Sequence, residues 1–302
     1  MRFDKTLLLI NPHAGNNEFS QHIGRLFSKF RHALGSIEVV HTNHPGDGAR
    51  AITSQAADVD LIIAAGGDGT VHECINALSQ LERRPVFGIL PAGTCNDFSR
   101  TLGIPQTIDE AVETLLKGRV EAIDVGKHDD RYFLNFWGIG LITQVSEQID
   151  SEIKKQFGRI AYYLSALHTI QEQRSFHVEV NGDGVHYKGE AVMVLVGNGS
   201  YVGGVEAYFP HSQVNDGLLD VLIFKELSLS AVTSLTYSLF TTEKPSAEGL
   251  ISFKTSHLEV ITKPSLKVDC DGEKNTFTPT RLQVLPGHLR MLVGPDFYSA
   301  SK

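Results

Sequence analysis

The segment Leu61-Ile62-Ile63-Ala64-Ala65-Gly66-Gly67-Asp68-Gly69-Thr70 joins an apolar run directly to a glycine turn. Its first half carries no charge and reads as a strand buried on both faces. The glycines that follow let the backbone turn sharply and approach a ligand closely. A helix is expected from about Thr70, carried by Val71, Ile75 and Leu78. Free N–H groups at a helix start face an anion, so such a loop can hold phosphate without a positive side chain. The plainer alternative is a tight strand-to-helix turn with Thr70 as N-cap; Asp68 inside the loop favours nucleotide binding. No GKS or GKT follows and the spacing is not GxGxxG, so neither a Walker A loop nor a Rossmann fingerprint is present.

Working outward, the surrounding sequence repeats the same plan. Thr6–Ile10, Ile37–Thr42 and Val86–Leu90 read as strands, and Gly48–Ala57 reads as a helix. Apolar residues recur at helical spacing from Phe19 to Leu34 and from Ile108 to Leu116. Strands alternating with helices imply right-handed βαβ units around a mostly parallel sheet. Two more loops follow predicted strands, Asn11-Pro12-His13-Ala14-Gly15 and Leu90-Pro91-Ala92-Gly93-Thr94-Cys95-Asn96-Asp97. In an open parallel sheet, ligands bind beyond the carboxyl ends of the strands, where such loops converge.

Beyond about residue 127 the pattern changes. Tyr132–Trp137 is strand-like and Ile142–Gln171 holds one or two helices. Strands are then expected at Phe176–Val180, Val185–Tyr187, Ala191–Val196, Leu219–Phe224, His257–Ile261, Leu266–Cys270 and Leu282–Leu285, with a helix over Leu229–Phe240. Asn181-Gly182-Asp183-Gly184 is a hairpin signal. The fold class expected is an α/β nucleotide-binding domain over 1–127, rejoined by 289–302, with a β-rich, sandwich-like second domain over 128–288.

Composition bounds the function. The 302 residues carry 27 basic and 35 acidic side chains, a formal net charge of -8, which argues against a protein that coats nucleic acid. Any anionic ligand must therefore be held by local geometry. Cys74, Cys95 and Cys270 show no metal spacing and are expected to be buried, as in a reducing cytoplasm. The longest unbroken apolar run after the amino terminus, Ala191–Val196, is too short for a transmembrane span, so membrane contact would be peripheral at the inner face.

Taken in order, Asn11-Pro12-x-Ala14-Gly15, Gly66-Gly67-Asp68-Gly69-Thr70-Val71 with Asn76, Gly88-Ile89-Leu90-Pro91-Ala92-Gly93-Thr94-x-Asn96-Asp97-Phe98, Gly197-Asn198-Gly199, Gly203-Gly204, Asn215-Asp216-Gly217-Leu218-Leu219-Asp220 and Asp269-Cys270-Asp271-Gly272-Glu273 span nearly the whole chain. In this the sequence resembles the diacylglycerol kinase catalytic family, especially its bacterial soluble lipid kinases. GGDGT alone is shared with NAD kinases and sphingosine kinases; the late NDGxLD and DGE elements make the resemblance specific.

The resemblance implies transfer of the γ-phosphoryl group of ATP to a lipid hydroxyl with Mg²⁺, at a site between an α/β domain and a β-sandwich-like domain. It implies nucleotide contacts at Asn11, Pro12, His13, Ala14, Gly15, Thr42, Gly66, Gly67, Asp68, Gly69, Thr70, Val71, His72 and Thr94, with Asp68 and Asp97 near phosphates and metal. Asp271 or Glu273 would supply the base, and the residues do not choose between them. Gln213, Asp216 and Leu218 match a second, structural Mg²⁺ site; the plain alternative is a turn capped by Asp216. The resemblance also allows a homodimer and a lipid partner drawn from a membrane surface.

One departure is Asn16-Asn17 where many members place Lys or Arg, leaving Arg25 or another residue to supply that charge. Lys154, Lys155 and Arg159, with Phe157 to Leu167, are candidates for membrane contact, a solvated helix face being the blander reading. Phe136 and Trp137 could line a substrate groove but suit a core better. The competing functions are an NAD kinase and a nucleotide- or lipid-binding regulator without catalysis.

Overall fold

The computed structural model describes residues 3–15, 29–30, 33–143, 174–204, 206, 208–241 and 245–297. It divides into two units, residues 1–125 with 286–302 and residues 126–285, each turn-over falling two or three residues before the expected boundary. The expectations for Asn16, Asn17, Arg25, most of Phe19–Leu34, and the stretch holding Lys154 to Leu167 lie outside the described residues.

In chain order the first unit contains β1 (Lys5–Ile10), β2 (Ser36–His41), α1 (Asp47–Gln55), β3 (Leu61–Gly66), α2 (Asp68–Leu78), β4 (Val86–Pro91), α3 (Asp97–Thr101), α4 (Ile108–Lys117) and most of β5 (Arg119–His128). The second contains β6 (Arg131–Phe133), β7 (Phe136–Gly140), β8 (Phe176–Gly182), β9 (Val185–Ala191), β10 (Met193–Gly197), β11 (Leu219–Phe224), α5 (Leu229–Ser238), β12 (Leu250–Thr255), β13 (His257–Lys263), β14 (Lys267–Cys270), β15 (Glu273–Phe277) and the start of β16 (Thr280–Val293). The end of β16 belongs to the first unit.

Within the first unit the strands run β2-β1-β3-β4, all parallel, and β16 joins beside β4 where Met291 faces Phe87. The apolar runs of β3 and β4 are buried along their whole length, as strands covered on both faces must be. β2, at the edge, is half exposed. From β1 the chain moves outward to β2 but the next strand, β3, lies on β1's other side. That reversal opens a crevice beyond the carboxyl ends of β1 and β3.

The second unit has an antiparallel sheet in the order β12-β11-β10-β7-β14-β15. Alternate residues of its inner strands, among them Trp137, Ile139, Val194, Val196, Val221 and Ile223, pack with Val178, Val180, Leu258, Val260, Leu282 and Val284 of β8, β13 and β16. Two sheets facing across one core make a sandwich. The other face of the six strands packs Met193, Leu195, Leu222 and Phe224 against Ala231 and Leu235 of α5 and against Tyr208 and Phe209. Phe136 and Trp137 sit in these two cores, 7% and 0% exposed.

Three strands, β5, β12 and β15, are not foreseen from the sequence. Tyr132–Trp137 is not one strand but the end of β6 and the start of β7, parted at Leu134-Asn135. Cys74 and Cys270 are buried, and burial pushes both thiols up, so neither is a ready nucleophile. Cys95 departs from the expected burial and is only half-buried.

Candidate active site

At the crevice, the three glycine loops of the first unit come together. Asn11 donates its backbone N–H to Ala65 O at 2.9 Å and its side-chain amide to Thr70 Oγ1 at 2.9 Å, tying the loop after β1 to the loop after β3. Its Oδ1 accepts the His13 N–H at 2.9 Å and shapes the first loop. Gly15 lies against the third loop: a Cβ there would stand 2.4 Å from Ala92 O, and its φ of +67° suits glycine. Gly93 and Gly67 touch backbone to backbone, since a Cβ on Gly93 would sit 2.5 Å from Gly67 Cα. The glycines thus let three strand ends close on one another.

Helix α2 begins at Asp68, two residues before the expected start, with extended Gly67 as its N-cap. Thr70 is therefore not the cap, and its hydroxyl is free to receive Asn11. Among the described residues no side chain caps this end. A Cβ placed on Gly69 would meet none of their atoms within 4 Å, so they leave the first turn uncovered. An uncapped helix start with open space over it is where an anion can sit.

Asp68 ties the second glycine loop to the third. Its two oxygens accept the N–H groups of Asp97 at 2.7 Å and Asn96 at 2.9 Å, so the carboxylate caps the start of α3. Asn96, at φ +53°, closes the third loop by accepting the Gly93 N–H at 2.8 Å and donating to Gly93 O at 2.9 Å. Asp97 is buried beneath the loop and Thr94 is exposed on it. Thr42 is buried at the end of β2, both its N–H and its hydroxyl turned to Ile10 O. Pro12, Ala14, Gly67 and His72 are half-buried around the crevice, His72 paired one turn along α2 with Asn76. Val71 packs in the core with its N–H on Gly67 O, and Gly66 is buried against Thr70.

In the second unit the DGE segment divides its carboxylates. Asp271 accepts three backbone N–H groups, from Leu134 at 2.7 Å, Asn135 at 3.0 Å and Phe136 at 2.8 Å. Its own N–H returns to Phe136 O at 3.1 Å. This clasp fills the gap between β6 and β7, where the ladder leaves those amides without strand partners. Glu273, at the start of β15, is exposed and makes no hydrogen bond among the described residues.

The turn holding Gln213, Asp216 and Leu218 is closed by Asp216, whose Oδ1 accepts the Leu218 N–H at 3.0 Å. Its Oδ2 takes the Lys254 ammonium at 2.7 Å, and Asp220 lies 3.3 Å from the same nitrogen. Burial pushes the Asp220 carboxyl up despite Lys254. Burial alone would lower the ammonium, but Asp220 and Asp216 together hold it above its usual range. Lys254 had no signal in the sequence, because only the register Asp220–Lys254 of β11 and β12 brings it there. A carboxylate has about four acceptor sites, and two are in use here. One carboxylate with peptide oxygens is a donor set of the hardness Mg²⁺ takes, so the residues fit a cation that shares Asp216 with the lysine.

Comparison with known proteins agrees with this architecture. The diacylglycerol kinase catalytic domain model matches residues 5–128, and the YegS C-terminal NAD kinase beta sandwich-like domain model matches residues 138–293. A diacylglycerol kinase of Bacillus subtilis (strain 168) is 33% identical over 288 residues, 95% of each chain. A crystal structure of a diacylglycerol kinase from Bacillus anthracis str. Sterne is 37% identical, with a TM-score of 0.82 over 99% of this chain and 100% of that one. The crevice loops and the sandwich that bears DGE are thus those of a known lineage, and the chain belongs to the diacylglycerol kinase catalytic-domain family, a lipid kinase.

Proposed function

We propose that the protein transfers the γ-phosphoryl group of ATP to the hydroxyl of diacylglycerol, giving phosphatidic acid, with Mg²⁺ required. The observation that carries this reading is the closure of three glycine loops around the start of α2, which no described residue caps or covers. Backbone amides there would hold the phosphates of ATP, which is how a chain of net charge -8 can bind a polyanion. Phosphoryl transfer needs positioning and neutralisation of charge more than covalent chemistry from the protein. Mg²⁺ would neutralise the phosphates when bound, with Asp97 the carboxylate nearest in sequence to the third loop. Asp68 acts through the loop it caps.

The base in this reading is Glu273. Three amides already occupy Asp271, whereas Glu273 is exposed and can take the proton as the lipid oxygen attacks phosphorus. The lipid would come from a membrane surface by peripheral contact; no described helix is long and apolar enough to cross one. We further read Gln213, Asp216 and Leu218 as a second, structural cation position, for which a rise in melting temperature in Mg²⁺ over EDTA, lost in Asp216→Ala, is the check.

The deciding assay offers labelled ATP and Mg²⁺ with diacylglycerol in mixed micelles, with other lipid alcohols, and with NAD. Labelled phosphatidic acid is the expected product. Phosphorylated NAD without any lipid product would overturn the reading, and ATP binding with no transfer to anything would make the protein a regulator.

A further inference from the structure

The break between β6 and β7 is held more tightly than a two-residue connection requires. Asp271 takes the N–H groups of Leu134, Asn135 and Phe136. From the other side, Asn135 O accepts the N–H groups of Asn198 at 2.8 Å and Gly199 at 3.0 Å. Leu134 O accepts the Asn198 side-chain amide at 2.8 Å. Every polar backbone group of Asn135 is thereby fixed by the DGE and GNG motifs.

Its side chain is the opposite case. Asn135 is 6% exposed, and its Oδ1 is buried with no hydrogen-bond partner among the described residues. No hydrogen bond from its Nδ2 is found among the described residues either. Buried amide oxygens are nearly always paired in folded proteins, and one that is not calls for a reason. A carboxamide on a rigid, over-determined backbone, itself making no internal bond, is preorganised for a ligand. Gly199 leaves the room: a Cβ there would press to 3.1 Å from Asn135 Oδ1.

We propose that Asn135 is a contact for the acceptor alcohol, its Oδ1 accepting a hydrogen bond from the reacting hydroxyl before Glu273 takes that proton. The unpaired atom is an acceptor, so the ligand must bring a donor, and the free hydroxyl is the donor a diacylglycerol has. This inference rests on the lipid-kinase reading above and assigns the group that orients its acceptor. Asp271 and Asn198 are then positioning residues, acting through the peptide they clamp.

The test compares wild type with Asn135→Ala and the near-isosteric Asn135→Leu, using 1,2-dioctanoylglycerol in Triton micelles. The expected result is a fall of about 10- to 100-fold in kcat/KM for the acceptor, the range for removing one partner of a buried hydrogen bond. The KM for ATP and the melting temperature should hold. Binding of dioctanoylglycerol without ATP, followed by the fluorescence of Trp137, the single tryptophan of the chain, should weaken in parallel. Unchanged acceptor kinetics and binding in both variants would mean the site holds only water and would overturn the inference. A fall in melting temperature that accounts for the lost activity would overturn it too, showing a structural role. If wild type phosphorylates no lipid, the lipid-kinase reading fails separately, and the binding measurement still decides whether Asn135 contacts the lipid.

Discussion

Asn11 reaches across from the first glycine loop and gives its side-chain amide to Thr70 Oγ1 at 2.9 Å. The bond joins residues 59 positions apart at the point where the sheet order reverses. It holds the first loop over the start of α2, where the phosphates of ATP are proposed to lie. Asn11→Ala should lower stability by about 1 kcal/mol, the usual worth of one such bond, and raise the KM for ATP several-fold. Urea denaturation and ATP titration of the same preparation check both.

Gly93 and Gly69 make a contrasting pair. A methyl on Gly93 runs into the backbone of Gly67, so Gly93→Ala should cost roughly 1–3 kcal/mol, as overpacking does. Gly69 has open space among the described residues and sits in the first turn of a helix, so Gly69→Ala should be neutral or gain up to about 1 kcal/mol. If phosphate occupies that space, Gly69→Ala still weakens ATP binding about tenfold. A stable Gly69→Ala protein with unaltered ATP affinity would move the phosphate site elsewhere.

The two acids of DGE should separate cleanly. Asp271→Ala leaves three amides without their acceptor and should destabilise by roughly 3 kcal/mol, at about 1 kcal/mol for each lost bond. Glu273→Ala touches nothing that holds the fold, and its stability should stay within about 0.5 kcal/mol of wild type. Its kcat should fall by about 10²- to 10⁴-fold if it is the base. Equal melting curves for the two variants would contradict the clasp.

Acid sensitivity should arise in part at the β8–β9 hairpin. Asp183 accepts the Ser256 hydroxyl at 2.6 Å and the Ser256 N–H at 2.7 Å, also taking Thr255 Oγ1 at 3.1 Å. The Ser256 contacts lead in lowering its carboxyl from the ordinary 3.8 to about 2. A depressed carboxyl contributes its stability in full above the unfolded value, and that contribution disappears as pH falls through the folded one. The melting-temperature gap between wild type and Asp183→Asn should therefore narrow as pH falls from 3.8 toward about 2.

Sequence showed the central strands plainly because burial on both faces forces an unbroken apolar run, as in β3 and β4. The strands it hid are those without that demand. β12 and β15 are the two edges of the six-stranded sheet, and β15 alternates between exposed and half-buried residues. β5 follows α4 after Gly118 alone, too short a gap to read as a boundary. The glycine loops were legible because each has a local signature. Which loop touches which was not: Gly15 against Ala92 and Gly67 against Gly93 are set by strand order. The Asp271 clasp was equally hidden, its partners lying more than 130 residues upstream with no pattern of their own.

β16 carries a consequence for how this protein can be cut. Asp124 accepts the Gly287 N–H at 2.7 Å, Gly294 donates to Leu102 O at 2.8 Å, and Arg119 reaches Phe297 O at 2.7 Å. Residues 286–293 are thus a strand that the first unit cannot supply from its own amino-terminal half. The second unit is one uninterrupted piece of chain, able in principle to be excised and replaced by a short linker from Val125 to Pro286. A fragment ending at residue 125 would instead leave β4 with a raw, apolar edge at Phe87, an invitation to aggregate.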